Sequence, residues 1–150
     1  MGTRRKAREI AVQILYQADV AGVPFSEAFA TYEGYFDPSP KVLSFAKELV
    51  DGVAKNQEQI DELIERFSKN WKLSRMSAID RNILRLATYE LLYRSDIPPK
   101  VSINEAVELA KAFGSEESAS FVNGILDAIY KNIVESQRKK NSQSKVSAAS

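Results

Sequence analysis

The 150-residue sequence contains neither histidine nor cysteine. That double absence excludes disulfides, zinc fingers, Cys nucleophiles, Ser-His-Asp triads and most transition-metal sites, because each requires a thiolate or an imidazole. It also suits a reducing cytoplasm. The six glycines, at positions 2, 22, 34, 52, 114 and 124, are too widely spaced to cradle a phosphate. No apolar run approaches the roughly 18 residues that cross a bilayer, so no membrane contact is expected. The start Arg4-Arg5-Lys6-Ala7-Arg8 is not followed by an uninterrupted apolar stretch and cleavage site, and no signal peptide is read there. Net charge is nearly absent too: 21 Lys and Arg against 20 Asp and Glu leave +1. What remains is a cytoplasmic single domain, long enough to bury a real core.

That small net charge conceals a segregation. Residues 1–8 hold four basic side chains and no acid, and residues 136–150 hold four more, again with no acid. The intervening body, 9–135, carries 13 basic and 20 acidic residues, a net of −7. A basic head and tail on an acidic body suggest an anionic partner, nucleic acid first among them. The tail is rich in Ser, Lys and Gln with little to bury, and is expected to be disordered rather than a specific binding arm.

Apolar spacing predicts helices throughout and no strand. Ala7, Ile10, Ala11, Ile14, Leu15 and Ala18 share one face of a first helix that Gly22 and Pro24 end. A short segment near 25–35 carries Phe25, Ala28, Phe29 and Tyr32. Val42, Ala46, Leu49, Val50 and Val53 mark a third helix, Asn56 a restart, and Ile60, Leu63, Ile64 and Phe67 a fourth. Ser77-Ala78-Ile79-Asp80 has the form of a capping box, opening a helix apolar over a wide arc and therefore central. Ser102-Ile103-Asn104-Glu105 has the same form and is expected to open the next helix, with Phe113 inward and Gly114 as its C-terminal stop. Ser115 is expected to cap the last. The result is an all-α fold of about seven helices, packed as two small sub-bundles of about 1–70 and 71–135 that meet near Asn70 to Arg75.

Little of this looks catalytic. Asp61, Glu62 and Glu65 on one helix, and Glu105 with Glu108 on another, read as solvated faces rather than a hydrolytic pair. The sharpest feature is the Arg-rich start. At about 100° per residue, Arg4, Arg5 and Arg8 fall within one sector, with Tyr16 further along it. Three guanidiniums could hold phosphates and the tyrosine could stack a base, the alternative being a solvated first turn. Gly124 is costly in mid-helix and implies a close approach by another backbone or a ligand. Phe121 beside it reads on spacing alone as a core aromatic.

Four ordered stretches resemble the NusB family of bacterial transcription antitermination factors. They are Arg4-Arg5-Lys6-Ala7-Arg8-Glu9 with Ala11 to Tyr16, Ile79 to Ala87 with Tyr89-Glu90-Leu91, Lys100 to Ala106 with Leu109 to Gly114, and Phe121 to Leu126. Together they cover about 2–135. The resemblance implies a non-enzymatic helical protein that, with NusE, a small-subunit ribosomal protein, binds single-stranded boxA RNA in ribosomal RNA leaders. The pair then helps RNA polymerase resist termination. The RNA contacts it implies fall on Arg4, Arg5, Arg8, Gln13 and Tyr16, and on Glu117, Phe121 and Asn123. The NusE contact falls on Asp80, with Tyr89, Glu90 and Arg94 after it. No catalytic residue, metal or cofactor is implied, and the free protein is left as either monomer or homodimer. The residue before Phe121 is commonly basic in the family and is Ser120 here. An alternative is a related module for RNA targeting or protein interaction in ribosomal RNA processing, without antitermination.

Overall fold

The computed structural model describes residues 2–137 other than Asn70, together with Lys139 and Lys140. Among them are seven α-helices and no strand: α1 (Thr3–Ala21), α2 (Phe25–Tyr32), α3 (Pro40–Lys55), α4 (Gln57–Phe67), α5 (Ala78–Tyr93), α6 (Pro99–Phe113) and α7 (Ser118–Ile129). Single 3-10 turns follow α2 and precede α5, at Glu33–Tyr35 and Leu73–Arg75. The all-α expectation is met.

The helices form where the apolar stripes run. All six residues of the first stripe are buried, and α1 ends at Gly22 in the left-handed region (φ 75°), where a Cβ would be strained. Each fully buried Ile or Leu contributes about 1.5–3 kcal/mol. The stripes of α1, α3, α5 and α7 meet in one contiguous cluster that includes Leu15, Leu49, Ile83, Leu84, Leu86 and Leu126. The central place predicted for α5 is realised: from Asn82 to Thr88 every residue is buried. Residue 8 of α1 bonds residue 90 of α5, and residue 19 bonds residues 81, 82 and 85, so the two helices run antiparallel.

Several local expectations need correction. Ser77 caps α5 as predicted, its Oγ accepting the Asp80 N–H at 3.2 Å. Ser102 does not cap α6, which starts three residues earlier with Pro99 in its first turn. A proline's fixed φ and missing N–H suit that position, and the Pro98-Pro99 pair wins over the Ser-x-x-Glu pattern. Ser102 is instead buried inside the helix. Ser115 does not cap α7 either: its own N–H donates to Ser118 Oγ at 2.9 Å. Gly114 has an extended backbone, and what it needs is room, since a Cβ there would lie 2.4 Å from Ser118 Oγ. Phe113 is 40% exposed rather than inward. Among the described residues, nothing apart from its chain neighbours and its own helix backbone comes within 4 Å of where a Cβ on Gly124 would stand, so the close approach by another backbone is not found there.

Beyond α7 a π-helical turn spans Tyr130–Val134, and the backbone is helical again at 135–137 and at 139 and 140. Helix therefore passes the expected boundary at 135, helped by an i,i+4 pair between Lys139 and Glu135 at 3.4 Å. The rest of the basic tail expected to be disordered, Arg138 and 141–150, lies outside the described residues.

Candidate nucleic-acid interface

The Arg-rich start is not the free basic face that its helical wheel suggests. Arg8 is 4% exposed, and its guanidinium grips Glu90 through two bonds of 2.8 Å. Glu90 is 2% exposed and accepts a third bond, from Ser102 Oγ at 2.8 Å. Two long charged side chains are thus held inside the bundle. Neither Arg8 as an RNA contact nor Glu90 as a partner contact is on the surface; the wheel gave the sector but not the acid waiting across it. Arg5 is half-exposed and paired in a fork with Glu105, at 3.0 and 2.9 Å. That bond pushes the Arg5 guanidinium above its ordinary range. Arg4 reaches Asp96 at 3.3 Å and lies over the Phe45 ring. The basic head is largely neutralised by acids of the body.

A second polar cluster ties the far end of α1 to α5. Asp19 Oδ2 accepts from Arg81 Nε at 2.6 Å, Asn82 Nδ2 at 2.8 Å and Arg85 Nη1 at 3.0 Å. Arg85 also forks onto Asp61 of α4, at 2.8 and 3.2 Å. Burial alone would raise the Asp19 carboxyl, but the donors from Arg81 and Asn82 and the charges of the two arginines bring it below the usual range. Three helices are joined by these bonds, so the Asp-Arg-Asn-x-x-Arg stretch at 80–85 has Arg81, Asn82 and Arg85 turned to structure.

Gln13 and Tyr16 lie about 14–18 Å along α1 from Arg4, at 1.5 Å per residue. With Gln17, Ile79 and the exposed Phe113 they line a concavity of about 310 Å³. A second, of about 290 Å³, is lined by Trp71, Arg75, Met76, Ser77, Asp80, Glu117 and Phe121. Trp71, the single tryptophan, is 52% exposed and meets Phe121 edge to face, with ring centroids 6.0 Å apart. The Phe121 ring is packed against the core on one side and opens to this hollow on the other. Asp80 Oδ1 is buried there with no partner among the described residues.

The expected RNA residues therefore separate. Gln13 and Tyr16 line one hollow and Glu117 and Phe121 the other, whereas Arg4 and Arg5 stand at the other end of α1. Asn123 is exposed, about 200° round α7 from Phe121. The expected partner residues separate as well. Asp80 and Arg94 are about 21 Å apart along α5. Tyr89 is wedged over Gly52, where a Cβ would fall 2.2 Å from its ring, and stacks on Tyr93. Arg94 is held by Asp96 at 3.0 Å and by Glu48 at 3.5 Å, which raises its guanidinium further, while the bond from Arg94 pulls Asp96 down to about 2. Trp71, Arg75 and Phe113 were missed from the sequence. A lone tryptophan in a basic segment was the available signal.

The family model described as NusB family matches residues 5–131. The chain is 54% identical to the transcription antitermination protein NusB of Myxococcus xanthus, over 86% of this chain and 95% of that one. It is 49% identical to the protein of the same description from Desulfatibacillum aliphaticivorans, over 87% and 91%. Among solved structures, T. maritima NusB superposes with a TM-score of 0.81 at 39% identity, covering 93% of this chain and 99% of that one. A chain from a crystal structure of the antitermination factors NusB and NusE in complex with double-stranded RNA superposes with a TM-score of 0.77 at 33% identity, covering 87% and 98%.

Proposed function

The chain belongs to the NusB family, and we propose that it acts in transcription antitermination by binding RNA together with NusE, in the cytoplasm and without catalysis. The observation that carries this reading is the contact of the exposed Trp71 with the partly buried Phe121 at a hollow by the first turn of α5. The half-exposed Trp71 ring, and the edge of Phe121 open to the hollow, offer aromatic surface to an unpaired base, and such stacking contributes about 1–3 kcal/mol per base. Gln13 and Tyr16, which line a second hollow with Ile79 of α5, are suited to take a second base. The RNA in the solved relative is double-stranded. A single-stranded boxA-type RNA is proposed here because stacking needs a base free of its partner.

Arg4 and Arg5 contribute at the far end of α1, through the fraction of each guanidinium left exposed by its acid. Glu117, lining the hollow with Phe121, is suited to accept a base amino group, and Asn123 to a contact on the outer side of α7. Asp80 is the residue proposed to meet basic NusE, Tyr89 and Arg94 being secondary and already engaged within the chain. The RNA polymerase antitermination complex is the destination of the pair. The division into sub-bundles of about 1–70 and 71–135 belongs to this proposal too.

The test is boxA-type RNA binding to the protein alone and with NusE at two salt concentrations, beside the same titrations for Phe121→Ala. Loss of about 5–150-fold in affinity is expected, from the 1–3 kcal/mol of one stacked base. Unchanged affinity in the variant, with NusE bound normally, moves the RNA off this face. Asp80→Lys should weaken NusE binding and leave helicity intact, and calorimetry giving full affinity removes Asp80 from the interface.

A further inference from the structure

The acids of the body engage Arg4, Arg5 and Arg8, yet another basic stretch is left without acid partners among the described residues, only Arg66 lying over a ring, that of Phe67. Arg66, Lys69, Lys72 and Arg75 recur at every third position from the end of α4 to the turn before α5, and no acid occurs between Glu65 and Asp80. All four are exposed, and none forms an ion pair among the described residues. Trp71 stands between them, and Arg75 shares the wall of the Trp71–Phe121 hollow.

The stretch is braced. Ser68, itself buried, donates its Oγ to the Trp71 carbonyl at 2.6 Å, and also lies 3.1 Å from the Glu65 carbonyl. Glu65 Oε1 accepts the Leu73 N–H at 2.9 Å, and Leu73 and Met76 are buried. Lys69 takes a left-handed conformation (φ 56°) that a residue with a Cβ adopts at some cost. The nearest acid in sequence, Glu65, is thereby occupied by Leu73, and the bonds at Ser68, Trp71 and Leu73 hold the described residues that carry the four cations beside an exposed ring.

We infer that Arg66, Lys69, Lys72 and Arg75 form the phosphate track of the RNA site, carrying the backbone of a single strand whose base stacks at Trp71 and Phe121. The inference rests on the RNA-binding reading above. It moves the main electrostatic contact from the N-terminal arginines to the α4–α5 connection. Aromatic rings interleaved with unpaired basic side chains are the composition of sequence-tolerant single-strand grooves.

The test uses the full chain with NusE and a single-stranded boxA-type RNA, read by fluorescence anisotropy from 50 to 200 mM salt. Each phosphate neutralised on a single strand contributes a slope of about −0.7 in log affinity against log salt. The triple variant Arg66→Gln/Lys69→Gln/Lys72→Gln should flatten that slope by about 2, so that the unsubstituted protein loses roughly 20-fold more affinity over this range than the variant. The charge-matched variant Lys41→Gln/Lys55→Gln/Lys100→Gln, also at exposed lysines, should leave the slope as it was. An unchanged slope in the 66–72 variant, with tight binding by the unsubstituted protein, overturns the track and leaves the stacking site standing. Absence of RNA binding by the unsubstituted protein overturns both. Equal flattening in the two variants assigns the effect to net charge and overturns the track as well.

Discussion

Arg8→Ala separates a structural arginine from an RNA-binding one. Arg8 and Glu90 are 4% and 2% exposed and share two bonds of 2.8 Å. Truncation removes both and leaves a carboxylate in the bundle with only Ser102 Oγ as donor. Breaking a buried pair from one side costs about 3–5 kcal/mol, because the remaining charge is uncompensated. For a chain of this size each kcal/mol lowers the melting temperature by about 2–4 °C, so a fall of about 6–20 °C is expected. Urea unfolding followed by circular dichroism should show a lower midpoint at unchanged slope. The double variant Arg8→Met/Glu90→Leu, which leaves no buried charge, should recover most of the loss. At a temperature where Arg8→Ala remains folded, its RNA affinity should match that of the unsubstituted protein. An unaltered melting temperature with weakened RNA binding would refute the reasoning, since Arg8 would then be a surface ligand.

Gly52→Ala should destabilise the fold by about 1–3 kcal/mol through overpacking, because the added methyl meets the Tyr89 ring; thermal melts check this. The Asp19 carboxyl is depressed below 3.8 in the folded chain, so its contribution to stability is complete above the unfolded value and is lost as pH falls through the lowered one. Asp19→Asn should therefore be less stable at neutral pH, by a margin that shrinks as the solution is acidified below about pH 4. Trp71→Ala should lower RNA affinity without lowering the melting temperature, the ring being half in solvent.

The fold was legible where a period or a stop signal was unopposed. The α1 stripe, Gly22 and the Ser77 cap were readable because nothing nearby competed with them. The start of α6 was not, since Ser102 and Glu105 match a capping box and only Pro98-Pro99 upstream overrides it. Ser102 and Glu105 hold Glu90 and Arg5 instead. The same limit governs the candidate interface. A wheel put Arg4, Arg5 and Arg8 on one face, but the identity of the acids opposite depends on α1 and α5 running antiparallel, which no local pattern carries. Trp71 was visible as the only tryptophan, while its presentation depends on Ser68 and Glu65 folding the connection back on itself.

Because Trp71 is the only tryptophan, its fluorescence reports directly on the face assigned to RNA. Titration of a single-stranded boxA-type RNA into the protein with NusE should quench Trp71 emission in step with binding measured by anisotropy, through stacking at the Phe121 hollow. Saturable binding with Trp71 emission unchanged would contradict the account, because the RNA would then be seated elsewhere.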